Sequence, residues 1–81
     1  MKYFFPEYED EEDAREYEEI SRTKAEHDAF TAESVAERYY NLNRGDNSSP
    51  MKVILFDEKE RSEWTVDVDW DPVFTAHRVK A

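Results

Sequence analysis

The chain has 81 residues, of which 21 are acidic and 11 are basic, so its formal net charge is −10 at pH 7. This length leaves room for one domain, which we expect to span residues 1–81. The negative charge excludes a protein that binds nucleic acid by neutralising its phosphates. Five Phe, five Tyr and two Trp are too many aromatic residues for a solvated coil, so we expect a small folded core.

The sequence also limits the compartment and the covalent chemistry. It contains no cysteine, which excludes disulfides and thiolate metal sites. It contains no long apolar run, so we expect neither a signal peptide nor a membrane span. These features predict a cytoplasmic protein.

Most of the negative charge lies near the start of the chain. Residues 1–19 hold nine acidic and two basic side chains, which sum to −7. The spacing of Ala14, Tyr17 and Ile20 gives one narrow apolar stripe, and carboxylates are stabilised in the first turn of a helix. The pattern therefore predicts an acidic N-terminal helical segment over about residues 10–20.

The middle of the chain predicts one clear helix. Thr31 is a suitable N-cap, and Val35, Ala36 and Tyr39 share one face, so we expect a helix over residues 31–42. Residues 43–50 contain most of the turn-forming residues and predict a loop. The preceding stretch, residues 21–29, has no clear period and fits either a strand or a helical extension.

Three segments after the loop have the pattern of strands. Residues 51–56 are short and apolar, as in a central strand that is buried on both faces. Residues 63–70 alternate strictly, and residues 73–79 can form a third strand after Pro72. We therefore expect an α+β fold in which the helix packs on a small antiparallel sheet of about three strands. The predicted packing face on the sheet consists of Trp64, Val66, Val68 and Trp70.

Asp67, Asp69 and Asp71 alternate with apolar residues on the second of these strands. A calcium loop is excluded because Pro72 stands where such a loop needs glycine. On a strand the three carboxylates are about 6.6 Å apart, which is close to the step between phosphates along a nucleic-acid strand. The alternative interpretation is an exposed strand face that is polar because it is exposed.

The N-terminal acids repel one another without any structural benefit beyond solubility. Aromatic residues beside them can act as apolar anchors within an interface that charge attraction brings together. A solvated acidic tail is the alternative interpretation. Together with the three aspartates above, the candidate partner-binding residues are Phe4, Phe5, Tyr8, Glu9, Asp10, Glu11, Glu12, Asp13 and Glu16.

Catalytic motifs are not found in the sequence. His27 and His77 are 50 residues apart and lack the spacing of a metal-binding or acid–base pair. Gly45 is the only glycine, so a phosphate-binding loop is excluded. We expect no catalytic residue, no metal ligand and no cofactor.

Residues 28–37 run from Asp28-Ala29 into a short Ala-rich helix with alternating acids, and strands follow from Met51. This arrangement, over residues 28–79, resembles small acidic phage or prophage proteins, including anti-CRISPR proteins and acidic DNA-mimic inhibitors. The resemblance implies a compact α+β protein that binds a bacterial defence complex and blocks its access to target DNA. It carries over no individual site residues.

We therefore expect a non-enzymatic inhibitor that occupies the basic groove of a nucleic-acid-binding protein, such as a CRISPR effector complex of a bacterial host. It would bind neither nucleic acid directly nor a membrane. The alternative is a phage accessory or assembly protein that docks on a protein partner, or on itself, through its aromatic N-terminus. The oligomeric state stays open.

Overall fold

In the part of the chain that the structure describes, one helix packs against one face of a five-stranded antiparallel sheet. The structure, a computed structural model, describes residues 1–17, 26–42, 50–69 and 73–80. The helix is α1, Ala29–Leu42. The strands are β1 (Lys2–Phe4), β2 (Arg15–Glu16), β3 (Met51–Phe56), β4 (Arg61–Asp69) and β5 (Val73–Arg78), and a 3₁₀ turn covers Glu11–Asp13.

The strand order in the sheet is β2-β1-β3-β4-β5. β3 is therefore the central strand, as its short apolar sequence predicts. It pairs with β4 from Met51↔Val66 to Phe56↔Arg61, and with β1 from Lys2↔Phe56 to Phe4↔Ile54. β5 forms one edge of the described sheet and the two-residue strand β2 forms the other.

The helix α1 begins two residues before the sequence predicts. The Asp28 carboxylate accepts the Thr31 N–H at 2.9 Å, so Asp28 and not Thr31 is the N-cap. Thr31 is instead buried inside the first turn. The apolar face of α1, with Ala32, Val35 and Ala36, is fully buried against the sheet.

The main core lies between α1 and the sheet. Trp64 and Val66 are buried there and Val68 packs against them, as predicted, while Trp70 lies outside the described residues. The N-terminal segment also contributes large side chains to this core. The buried residues of the sheet side are Tyr3, Phe5, Tyr17, Met51, Val53, Leu55, Trp64, Val66 and Ala76.

A smaller buried cluster lies on the opposite face of the sheet. Phe4 and Ile54 are buried there, on paired positions of β1 and β3. The Phe4 ring meets the Phe56 ring edge-on at 5.9 Å, and the Arg61 guanidinium lies 5.7 Å from the Phe4 centroid. Burial on both faces explains why β3 is apolar without strict alternation.

The α+β class is confirmed, but the expectation of about three strands is wrong because the described sheet has five. The predicted N-terminal helical segment is also wrong, since residues 1–17 form β1, the 3₁₀ turn and β2. Extended structure places Tyr3, Phe5 and Tyr17 in the core, whereas a helix over residues 10–20 would bury only a narrow stripe.

The other predicted boundaries are close to those observed. The strand expected over 63–70 begins earlier, at Arg61, and the strand expected over 73–79 ends at Arg78. Of the predicted loop, residues 43–49 lie outside the described residues, as do residues 21–25 of the stretch without a period. No helix within the described residues is long and apolar enough to cross a membrane.

Candidate protein-binding surface

Residues 5–14 form an ordered connection between β1 and β2, which we call the acidic segment. The carbonyl oxygen of Phe5 accepts the N–H groups of both Tyr8 and Glu9 at 2.9 Å. The Glu9 carboxylate in turn accepts the Phe5 N–H at 3.1 Å. Further on, the Asp10 carbonyl accepts the Asp13 N–H at 2.9 Å and closes the 3₁₀ turn. Backbone groups of the segment are thus bonded locally, which defines the path of the backbone that carries its carboxylates.

A bidentate pair links Glu9, in the middle of the acidic segment, to Arg15 of β2. The two Arg15 nitrogens donate to the two Glu9 oxygens at 2.9 and 2.8 Å. Only 10% of the Glu9 side chain is exposed, so this pair is partly shielded from water. The hydrogen bond to Glu9 raises the pKa of Arg15, and the Arg15 guanidinium also lies 6.0 Å from the Tyr39 centroid.

A second ion pair connects the acidic segment to the face of the sheet that α1 does not cover. Glu11, in the 3₁₀ turn, accepts a hydrogen bond from Arg61 at the start of β4. Both side chains are more than half exposed, so the pair itself contributes little free energy. The contact does show where the 3₁₀ turn lies, which is beside the arginine that covers the Phe4 ring.

The remaining carboxylates of the segment are exposed to solvent. Asp10, Glu12 and Asp13 are all exposed, and Asp13 also accepts the Asp10 N–H at 3.2 Å. Within the described residues Glu12 makes no ion pair. Glu16 is exposed on β2, with one oxygen 3.7 Å from the Met1 amine. Of the seven acids in residues 1–17, only Glu9 is largely shielded from solvent, and the other six face it.

The carboxylates of β4 lie on the sheet face that α1 does not cover. Asp67 is 3.3 Å from His77 Nε2, Asp69 is exposed, and Asp71 lies outside the described residues. Arg61, the partner of Glu11, and Asp69 are the two ends of β4, about 26 Å apart. The acidic segment and the β4 aspartates therefore do not form one cluster.

The three aromatic candidates separate clearly by burial. Phe4 and Phe5 are buried on opposite faces of the sheet, so neither ring is available to a partner. Tyr8 is 42% exposed, and its ring stacks on Tyr39 of α1 at 5.8 Å between centroids. Burial raises the pKa of Tyr39, and the nearby Glu9 carboxylate raises it further. Of the three candidates, only Tyr8 presents its ring at the surface.

Two kinds of structural residue could not be recognised from the sequence. Arg15 and Arg61 both contact carboxylates of the acidic segment, but the sequence shows them only as basic residues among acids. His27 contacts Ser62 and Asp57, an arrangement that has the residue types of a catalytic triad. Ser62 is only 3% exposed, which puts its hydroxyl out of reach of a substrate.

The described residues contain no group of three or more side chains that could together hold a metal ion.

Compared with known proteins, the chain matches no family model, no curated protein and no solved structure.

Proposed function

We propose that this chain is a non-enzymatic binding protein that occupies the basic, nucleic-acid-binding groove of a partner protein. The local hydrogen bonds of the acidic segment are the observation that carries this proposal. The partly shielded Glu9–Arg15 pair anchors the segment to β2, while Asp10, Glu12 and Asp13 are exposed. A preformed arrangement loses less conformational entropy on binding than a flexible tail does.

Charge supports the same proposal at longer range. Residues 1–17 carry seven acidic and two basic side chains, and the whole chain carries −10. Such a field accelerates association with a cationic surface, and salt screens it over about 10 Å at 0.1 M. Binding should therefore be fast at low ionic strength and should weaken as salt rises.

The partner class follows from charge and from the resemblance to phage inhibitors. A groove that binds nucleic acid is lined with Lys and Arg, which exposed carboxylates can engage in place of phosphates. The resemblance to anti-CRISPR proteins implies a CRISPR effector complex in the cytoplasm of a bacterial host. Docking through the aromatic N-terminus has only Tyr8 at the surface to support it, so we do not propose that alternative.

Charge-reversal variants can test the proposal without disturbing the internal pairs. Glu7 and Glu12 are exposed, so we would replace both with Lys; the matched control replaces Glu37 and Glu58, which are also exposed. Each double variant changes the net charge equally. Reversal of Glu11 is less informative, because it would place Lys against Arg61.

The measurement is capture of nucleic-acid-binding proteins from a bacterial host extract by the immobilised chain, with and without competing duplex DNA. We expect duplex DNA and high salt to release the captured protein. Reversal at Glu7 and Glu12 should reduce capture about tenfold or more, which corresponds to at least about 1.4 kcal/mol. Equal loss in the control variant would leave only non-specific charge attraction, and capture that neither salt nor DNA affects would overturn the proposal.

A further inference from the structure

His27 connects the start of α1 with the turn between β3 and β4. Its Nε2 lies 3.3 Å from Asp57 Oδ2 in that turn, and its Nδ1 lies 2.5 Å from Ser62 Oγ on β4. Only 10% of the His27 side chain is exposed. The imidazole therefore sits in a largely enclosed position with a specific partner on each nitrogen.

The partners assign a direction to the hydrogen bonds. Trp64 Nε1 can only donate, and it donates to Ser62 Oγ at 2.9 Å. Ser62 then has its own hydroxyl hydrogen to give, and His27 Nδ1 is the acceptor beside it. On the other nitrogen, the Asp57 carboxylate accepts from Nε2–H. Neutral His27 thus carries its hydrogen on Nε2, and a continuous chain runs from the Trp64 indole through Ser62 to the imidazole.

A second proton on His27 is incompatible with this direction. Nδ1 would become a donor to Ser62 Oγ. The hydroxyl hydrogen of Ser62, a buried side chain, would then have to turn away from Nδ1. Glu60 provides a carboxylate oxygen 3.8 Å from Nδ1. That same oxygen accepts a hydrogen bond from Arg78 of β5 at 2.7 Å, and the Arg78 guanidinium lies 5.9 Å from the Trp64 centroid.

Within the described residues, the charged groups that contact His27 are Asp57 and Glu60 from the turn, and Arg78 from β5 reaches Glu60. On the helix side, the Asp28 carboxylate is engaged by the Thr31 N–H. Asp57 is also held by the N–H groups of Lys59 and Glu60, each at 2.8 Å. The carboxylates are thus in place for either charge state of the imidazole.

We propose that His27, Ser62 and Trp64 form a proton-sensitive switch. With neutral His27, the Ser62 hydroxyl donates to the imidazole and the Glu60 carboxylate accepts a hydrogen bond from Arg78. With charged His27, the bond between Ser62 and His27 reverses, and Glu60 is shared between His27 and Arg78. The charge of a histidine changes between about pH 5 and pH 8. Acidification would thereby alter the hydrogen bond of a buried indole and the attachment of β5 at its end.

Nuclear magnetic resonance on the full chain reads this switch directly. We would record the Trp64 indole N–H and the His27 ring nitrogens from about pH 8 to about pH 5. We expect unprotonated Nδ1 at the upper pH and a Trp64 signal that moves together with His27 protonation. His27→Gln should abolish that movement, whereas His77→Gln, which changes an exposed histidine beside Asp67, should preserve it.

Ser62→Ala tests whether Ser62 transmits the protonation of His27 to Trp64, as opposed to a general change in stability that moves the Trp64 signal. In this variant the Trp64 indole signal should no longer follow the protonation of His27. A neutral His27 that carries its hydrogen on Nδ1 would overturn the proposal. So would a Trp64 signal that is unaffected by His27 protonation, or one that follows it equally well in Ser62→Ala.

Discussion

The Glu33 carboxylate of α1 accepts the backbone N–H of Ala76, with 2.9 Å between Oε2 and the nitrogen. Ala76 lies in the middle of β5, the edge strand that pairs with β4. An outward N–H on an edge strand is a site where another extended chain can pair. A side chain of the helix occupies that site, so the helix protects the edge as well as the core.

Glu33→Ala should leave this N–H without its partner. We expect a loss of about 1–2 kcal/mol in the free energy of unfolding, because the lost bond is charge-assisted. Urea unfolding measures the loss, and hydrogen exchange should show faster exchange at the Ala76 amide. Glu37→Ala, one turn further on an exposed position, is the control and should change neither quantity. Equal effects of the two substitutions would contradict the role of Glu33.

Arg15→Lys should weaken the anchoring of the acidic segment while preserving its charge. Lysine cannot reproduce the two parallel bonds to Glu9, and it stacks less well on Tyr39. We expect a loss of about 1 kcal/mol, since the pair is only partly shielded from water. Chemical denaturation of Arg15→Lys beside Arg38→Lys, an exposed arginine of α1, makes the comparison. If both variants keep wild-type stability, the bidentate pair does not hold the segment.

Phe5→Ser and Tyr8→Ser should have opposite outcomes although the residues are close in sequence. Phe5 is fully buried, so its loss should cost about 3–5 kcal/mol and unfold a large part of the population. Tyr8 is partly exposed, so Tyr8→Ser should remain folded. Circular dichroism during thermal unfolding distinguishes them. A folded Phe5→Ser protein would show that β1 does not pack as described.

Asp57 should titrate at a lower pH than an ordinary aspartate. The N–H groups of Lys59 and Glu60 lower its pKa below 3.8, and His27 lowers it further. The stability that these bonds confer is present above about pH 4 and is lost as pH falls through the lower folded-state pKa. We expect the stability difference between wild type and Asp57→Asn to shrink in that acidic range.

The Asp57 carboxyl carbon provides the direct measurement for this prediction. Its chemical shift should change with a midpoint below 3.8. A midpoint at or above that value would mean that the turn hydrogen bonds do not form in solution.

The sequence predicts the fold from α1 onward better than it predicts the N-terminal strands. The periods of β4 and α1, and the continuous apolar run of β3, are long enough to appear without knowledge of their neighbours. β1 and β2 have only three and two residues, which is too short for a period. Tyr17 fits a helical stripe in sequence but is buried beside β2, and only the pairing of β1 with β3, some 50 residues away, reveals this.

The candidate site shows the same limit of local reasoning. The number and location of the acidic residues are plain in the sequence. The sequence does not show which of them form ion pairs or which one is shielded from solvent. Glu11 pairs with Arg61 from a strand 50 residues later, and no local spacing encodes that contact. Burial likewise separates Phe5 from Tyr8, which look equivalent as aromatic neighbours of an acidic run.

β1 lies between β2 and β3, and its neighbours Phe5 and Tyr17 are part of the main core. Removal of residues 1–17 would take two strands from the sheet and leave β3 as an exposed edge strand. The most acidic stretch of the chain is therefore not a detachable appendage. Its charge can be redesigned one side chain at a time, but the stretch cannot be discarded without losing the folded protein.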